Sequence, residues 1–257
     1  MEYPEYERMY QLEDWHWWFV SRRRMATALL EQWLEPGSPG RVLDVGCGTG
    51  GNLAALARWG PVSGLDLSPL PLNFAQHRLA GRLAQASALA LPYPDATFYL
   101  VTAFDMLYHQ WITDDDRAIH EIYRVLKPGG WLLVTDSAMP LLWSAHDEIY
   151  YARERYTLPK MRAKLSQVGF TPRRCSYTNF LLLPAAMTVR LMMRWFSFVR
   201  ETELQALPEW FNGLLLAIRE LEVRWLRRNR TLPAGSSLIC LAQKLPTYSK
   251  GHFHETS

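Results

Sequence analysis

The tightest constraint on this chain is the run Val42-Leu43-Asp44-Val45-Gly46-Cys47-Gly48-Thr49-Gly50-Gly51. It opens as a short apolar strand, breaks into glycines at alternate positions, and leads into a helix beginning near Leu53. Glycine lets the backbone take positive φ and approach a ligand closely. The helix that follows turns unpaired N–H groups toward whatever sits over the turn. A strand, a glycine turn and a helix in that order make a nucleotide site, and few folds other than a wound α/β sheet can build one.

Two acids narrow the nucleotide. Gly46, Gly48 and Gly51 formally satisfy the G-x-G-x-x-G dinucleotide pattern, which is weak by itself. Asp44, two residues before the first glycine, argues against a pyrophosphate, since like charges in a poorly hydrated cleft repel. It suits a ligand with a cationic amino group. Asp66 closes the next apolar run, Val62-Ser63-Gly64-Leu65-Asp66, where an acid can take both hydroxyls of a ribose.

Together with Gly64-Leu65-Asp66-Leu67-Ser68 and Leu126-Lys127-Pro128-Gly129-Gly130, the glycine run resembles the class I S-adenosylmethionine-dependent methyltransferases over about residues 38 to 178. The resemblance implies an α/β fold, a seven-stranded, mostly parallel sheet with helices on both faces. It implies cofactor contacts at Asp44, Gly46, Cys47, Gly48, Gly50, Asp66, Leu67, Ser87, Ala88, Phe104 and His109. Ser87 and Tyr99 depart from the family, which usually carries an acid at each place.

At 257 residues and 49% apolar content, the chain can bury a substantial core. A net charge of +3 asks for no nucleic acid, and the arginine clusters, Arg22 to Arg24 among them, read as solvated ends of elements. Three cysteines without paired spacing suggest neither a metal site nor a disulfide framework, and a cytoplasmic setting fits.

Taken in order, residues 1–37 form an aromatic, helical lid over the cofactor and acceptor pocket. Glu13, His16, Trp17, Trp18 and Phe19 match a stretch that some class I enzymes carry. Residues 38–178 form the cofactor-binding core, 179–232 a helical insertion, and 233–257 the last strand and a tail. Ser68-Pro69 caps one helix, and the acids Asp114 to Asp116 open another, as a cap rather than a metal site. Strands are expected at Arg82 to Ala86, Tyr99 to Phe104, Trp131 to Thr135, Thr171 to Tyr177 and Ser236 to Lys244. Phe104 to His109 follow a strand end near the change in strand order, and His109 is the candidate general base. Trp17, Trp18, Tyr108, His146 and Arg155 are the acceptor candidates.

The insertion carries an apolar helical pair over 181–228. Three uses compete for it: an intramolecular lid, a homodimer surface, or a peripheral membrane contact that a lipid-linked acceptor would favour. The activity these residues describe is methyl transfer to O, N or C of a small, bulky, partly apolar molecule. A nicotinamide oxidoreductase and a cofactor-binding regulatory protein without turnover stand as rivals.

Overall fold

The computed structural model describes residues 3–37, 40–188 and 206–246, the side chains of 145 and 146 aside. Two helices come first, α1 (Tyr3–Leu12) and α2 (Trp17–Leu30). The core alternates β1 (Arg41–Val45), α3 (Leu53–Leu56), β2 (Val62–Asp66), α4 (Pro69–Ala75), β3 (Leu83–Gln85), β4 (Phe98–Phe104), α5 (Asp115–Val125) and β5 (Leu126–Ser137). After it come α6 (Ala145–Ile149), α7 (Leu158–Val168), β6 (Phe170–Thr178), α8 (Glu209–Arg227) and β7 (Ser237–Lys244).

The strands form one seven-stranded sheet in the order β3-β2-β1-β4-β5-β7-β6. Strands β1 to β5 pair in parallel, and β7 runs antiparallel to both its neighbours. This is the seven-stranded, mostly parallel α/β sheet expected from the sequence. Because helices cover both faces, alternate residues of one strand feed opposite cores. Leu43, Val45, Val101, Leu132 and Cys240 pack with Ile119 and Ile122 of α5 and Met161 of α7. Val42, Leu100, Leu133 and Ile239 pack with Leu29 of α2, Leu53 of α3 and Val223 of α8.

Local chemistry sets the boundaries. Ser68 caps α4, its hydroxyl accepting from Leu70 N at 3.3 Å, with Pro69 at the first helical position. Asp114 caps α5 by accepting from Arg117 N at 2.9 Å. The other two acids of that triplet are also engaged: Asp115 takes the Tyr156 hydroxyl at 2.6 Å and Lys164 Nζ at 3.0 Å, and Asp116 takes Lys164 Nζ at 2.8 Å. Tyr99, a departure from the family pattern, packs against Gly40, where an added Cβ would lie 2.1 Å from the Tyr99 Cβ. The Pro128-Gly129-Gly130 run was expected to separate α5 from a strand at Trp131; instead β5 starts at Leu126, which pairs with Phe98 across an irregular register. Residues 183–188 are helical, and the apolar stretch read between 189 and 205 lies outside the described residues.

Candidate active site

The strand order reverses between β1 and β4, and ligands of open α/β sheets bind beyond the carboxyl ends of strands at such a point. A cavity of about 560 Å³ opens there. That volume is within the range of small-molecule and cofactor sites.

Its floor is the glycine turn. Gly46 (φ +72°) and Gly48 (φ +54°) both line the cavity in the left-handed region that favours glycine. A Cβ on Gly46 would meet Met106 Cγ at 2.7 Å, whereas one on Gly48 would meet nothing nearer than 3.9 Å, so the backbone there faces open space. The Asp66 carboxylate clamps the turn, accepting from Gly48 N at 3.0 Å and from Ser68 N at 2.9 Å. Burial raises its pKa against the opposing pull of those N–H groups. Cys47, Leu67, Ser87, Ala88 and Phe104 also line the cavity. The Ser87 hydroxyl accepts from Leu89 N at 3.1 Å, so this residue holds its own turn.

Two expected cofactor residues stand back from the cavity wall. Gly50 (φ +88°) serves packing instead, since a Cβ would touch Leu53 and Ala75 at 3.1 to 3.2 Å. Asp44 is wholly buried at the end of β1, where Thr102 donates its hydroxyl to Oδ1 at 2.7 Å. Its Oδ2 is buried without a hydrogen-bond partner. Burial pushes its pKa up to about 7, against the Thr102 hydrogen bond and the charge of Arg22.

The N-terminal helices roof the cavity. His16, Trp17, Trp18 and Phe19 line it, and His16 caps α2 by accepting from Trp18 N at 3.4 Å. Asn212 of α8 ties the roof down, accepting from Trp17 N at 2.7 Å and donating to Trp15 O at 3.0 Å. Glu13 receives the Thr49 hydroxyl at 2.8 Å, and its carboxylate occupies the space that a Cβ on Gly51 would need, 2.3 Å from Oε2. The third glycine of the formal dinucleotide pattern therefore makes room for a residue of the roof.

Two residues that the sequence reading passed over meet inside. Arg22 and Asp105 line the cavity and form an ion pair, and Asp105 Oδ1 accepts from the Thr135 hydroxyl at 3.1 Å. Asp105 takes φ +48°, an unfavourable conformation for a non-glycine residue of the kind that gathers at functional sites. Arg22 was read as one of three solvated arginines. The signal was its helical phase, because Phe19, Arg22, Ala26 and Leu29 share one face of α2, and Arg24 is the one residue of that helix that is exposed.

Among the acceptor candidates, Trp17, Trp18, Tyr108 and Arg155 reach the cavity. Arg155 is already committed: Asp147 accepts from its Nε at 2.7 Å and Ala138 O from its Nη1 at 3.0 Å, with both side chains of the pair almost fully buried. These bonds support the loop after β5, and Arg155 lines the cavity with them in place. His146 falls in α6, its side chain outside the described residues. His109 lines the cavity between the rings of Trp111 and Tyr151, with centroids 4.7 and 6.0 Å away. Its Nδ1 accepts from Trp111 N at 3.2 Å. Burial lowers its pKa to about 4, so the ring is neutral near pH 7 and a weak base.

Residues 43–134 match the family described as methyltransferase domain. The match agrees with the resemblance to the class I S-adenosylmethionine-dependent methyltransferases. Over 132 residues the chain is 37% identical to the ubiquinone/menaquinone biosynthesis C-methyltransferase of Vibrio campbellii, covering 47% of this chain and 50% of that one. Over 134 residues it is 36% identical to the fatty-acid O-methyltransferase of Mycolicibacterium smegmatis, covering 49% of this chain and 42% of that one. The chain thus spans about half the length of these relatives. In fold, it superposes on an S-adenosylmethionine-dependent methyltransferase of Thermotoga maritima with a TM-score of 0.60 at 16% identity, covering 94% of this chain and 95% of that one. The glycine turn, Asp66 and the ends of β1 and β4 come from the matched residues 43–134, whereas the roof of the cavity comes from outside the match.

Proposed function

We propose that this chain transfers a methyl group from S-adenosylmethionine to a bulky, largely apolar small molecule in the cytoplasm. The observation that carries this reading is one cavity lined by two kinds of wall. The glycine turn and Asp66 contribute one; Trp17, Trp18, Trp111, Ile112, Leu182, Phe211 and Leu215 contribute the other.

The residues present suit the cofactor. Each Asp66 oxygen keeps lone pairs beyond its bond to a backbone N–H, enough to accept from ribose hydroxyls. Arg22 can take the carboxylate of the amino-acid end, since its guanidinium lies in the cavity with Nε unpartnered. The unpartnered Oδ2 of Asp44 supplies negative charge under a cationic amine. Ser87 and Ala88 stand beside the adenine position implied by the resemblance. Bound there, S-adenosylmethionine supplies an electrophilic methyl on a sulfonium.

The chain's own part is alignment. Its apolar and aromatic wall excludes water and holds an acceptor against the strand ends, and positioning of this kind accounts for much of the rate in a two-substrate transfer. Neutral His109 packs at the site, and Asp105, held by Arg22 and Thr135, is the carboxylate of the described wall nearest to it in sequence. The relatives named for quinone biosynthesis and for fatty acids support a lipid-like acceptor. The free thiols of Cys47, Cys175 and Cys240 support a reducing compartment.

Calorimetric titration with S-adenosylhomocysteine, with NAD as control, tests the cofactor. Binding of S-adenosylhomocysteine alone is expected, and binding of NAD alone would refute the reading. Accumulation of S-adenosylhomocysteine with apolar acceptors then separates turnover from a binding protein that keeps the pocket without chemistry.

A further inference from the structure

Helix α8 carries an apolar stripe that the other described residues do not cover. Trp210 is 73% exposed, Leu221 55%, Leu214 49% and Trp225 40%. At about 100° per residue these four side chains fall within an arc of about 60°. The opposite side of the helix, with Asn212, Arg219, Glu222, Val223 and Leu226, is buried against α2 and the core. The stripe therefore lies on the side of the helix turned away from its packed, largely polar face.

Charge surrounds it asymmetrically. The stretch Arg224 to Arg230 holds four arginines and no acid. By helical phase Arg224 falls about 40° outside the stripe and Arg228, just past the helix, on its edge, while Glu209 and Glu220 lie about 80° or more beyond that edge, Glu220 within 3.9 Å of Arg224. Arg230 stacks on the Trp225 ring at 4.6 Å. Tryptophans at both ends of an apolar stripe with a cationic border are the pattern of a helix lying in a membrane interface. No helix among the described residues is long and apolar enough to cross a membrane, so the contact is with the surface.

The stripe also continues into the active-site cavity. Phe211 and Leu215 follow it around α8 and line the cavity wall, together with Leu207. The stripe and this part of the cavity wall thus belong to one helix.

We propose that α8 docks this protein on the surface of an anionic phospholipid bilayer, through Trp210, Leu214, Leu221 and Trp225 with Arg224 and Arg228 on headgroups, beside the cavity mouth. Delivery of an acceptor by this route rests on the methyl transfer proposed above; the docking itself does not.

The test uses the full chain and two variants at positions away from the cavity wall, Trp210→Ser with Leu221→Ser, and Arg224→Glu with Arg228→Glu. Each is sedimented with vesicles of phosphatidylcholine alone and of phosphatidylcholine enriched in phosphatidylglycerol. The wild type is expected to partition onto the anionic vesicles and to be released by salt. Each variant should lose about tenfold or more in partitioning, given the contribution of single arginines and exposed apolar side chains at an anionic interface. Melting temperature and S-adenosylhomocysteine affinity are read on the same samples, so that a failure of docking is distinct from a failure of folding or of the cofactor reading. Absence of binding to anionic vesicles overturns the proposal, as does equal partitioning of wild type and both variants, which would place the contact elsewhere in the chain. Equilibrium sedimentation showing a dimer that the Trp210→Ser, Leu221→Ser variant dissolves would give the stripe to a second copy and overturn it equally.

Discussion

Asp44→Asn should abolish one component of the pH dependence of stability, of a size set by burial. Asp44 is fully buried, and its pKa lies at about 7 rather than the usual 3.8. The folded chain therefore binds a proton that the unfolded chain has already released over that range. Stability from this group is present below about pH 4 and is lost as pH rises to about 7. At about 1.4 kcal/mol per pKa unit, three units are worth some 4 kcal/mol. Asparagine keeps the shape and can still accept the Thr102 hydroxyl, but has no proton to lose. His109, with its pKa lowered to about 4 by burial, acts in the opposite sense: its contribution is present above about pH 6.5 and is lost as pH falls toward 4. The quantity to read is therefore the difference between wild type and Asp44→Asn, in which His109 cancels. Urea denaturation across about pH 4 to 8 should show the variant gaining about 3–4 kcal/mol on the wild type, and most of that gain should vanish with saturating S-adenosylhomocysteine, whose amino group would favour the ionised acid. Parallel stability curves without ligand would refute the account of Asp44 as a buried, mostly desolvated carboxyl.

Asp66→Ala removes the clamp on Gly48 and the proposed acceptor for ribose, and should weaken S-adenosylhomocysteine binding by roughly 10- to 100-fold in calorimetry. His109→Gln should leave the initial rate within about tenfold of wild type once an acceptor is in hand, because a neutral, weakly basic ring is a poor proton acceptor. A kcat/KM profile with a limb near pH 6.5 that disappears in the variant would restore it as a base. Glu222→Gln leaves Arg219 buried without its anion and keeps an acceptor for one of two N–H groups, those of Asn179 and Leu181, both now 2.8 Å from the carboxylate. It should cost about 3–5 kcal/mol by thermal or urea unfolding, and a loss below about 1 kcal/mol would show that the Arg219–Glu222 pair does not hold α8 to the end of β6.

Much of the fold and part of the site were legible as local pattern. Asp44, Gly46, Gly48 and Asp66 lie within one strand–turn–helix–strand unit, where spacing along the chain and distance in space nearly coincide. Caps at Ser68 and Asp114 were readable because a helix N-terminus is satisfied by its own neighbours. The roof was legible only as an aromatic cluster; its attachment through Glu13 to Thr49 and through Asn212 to Trp17 joins residues tens to nearly two hundred positions apart.

The chain's order of strands, glycine turn and acids by itself determined the class of sheet and the end of it that binds a ligand, because those follow from backbone conformations that few residue types permit. Tertiary packing alone decided which charged groups face the cavity. Arg22 turned inward and Arg155 became tied to Asp147 because each sits where covering elements remove water, and a desolvated charge must find a partner or a ligand. It also decided that Asp44 and Gly50 stand behind the turn rather than on the wall, and that α8 buries Asn212, Arg219 and Glu222 while exposing Trp210, Leu214 and Leu221, since that depends on how many sides of a helix its neighbours can reach.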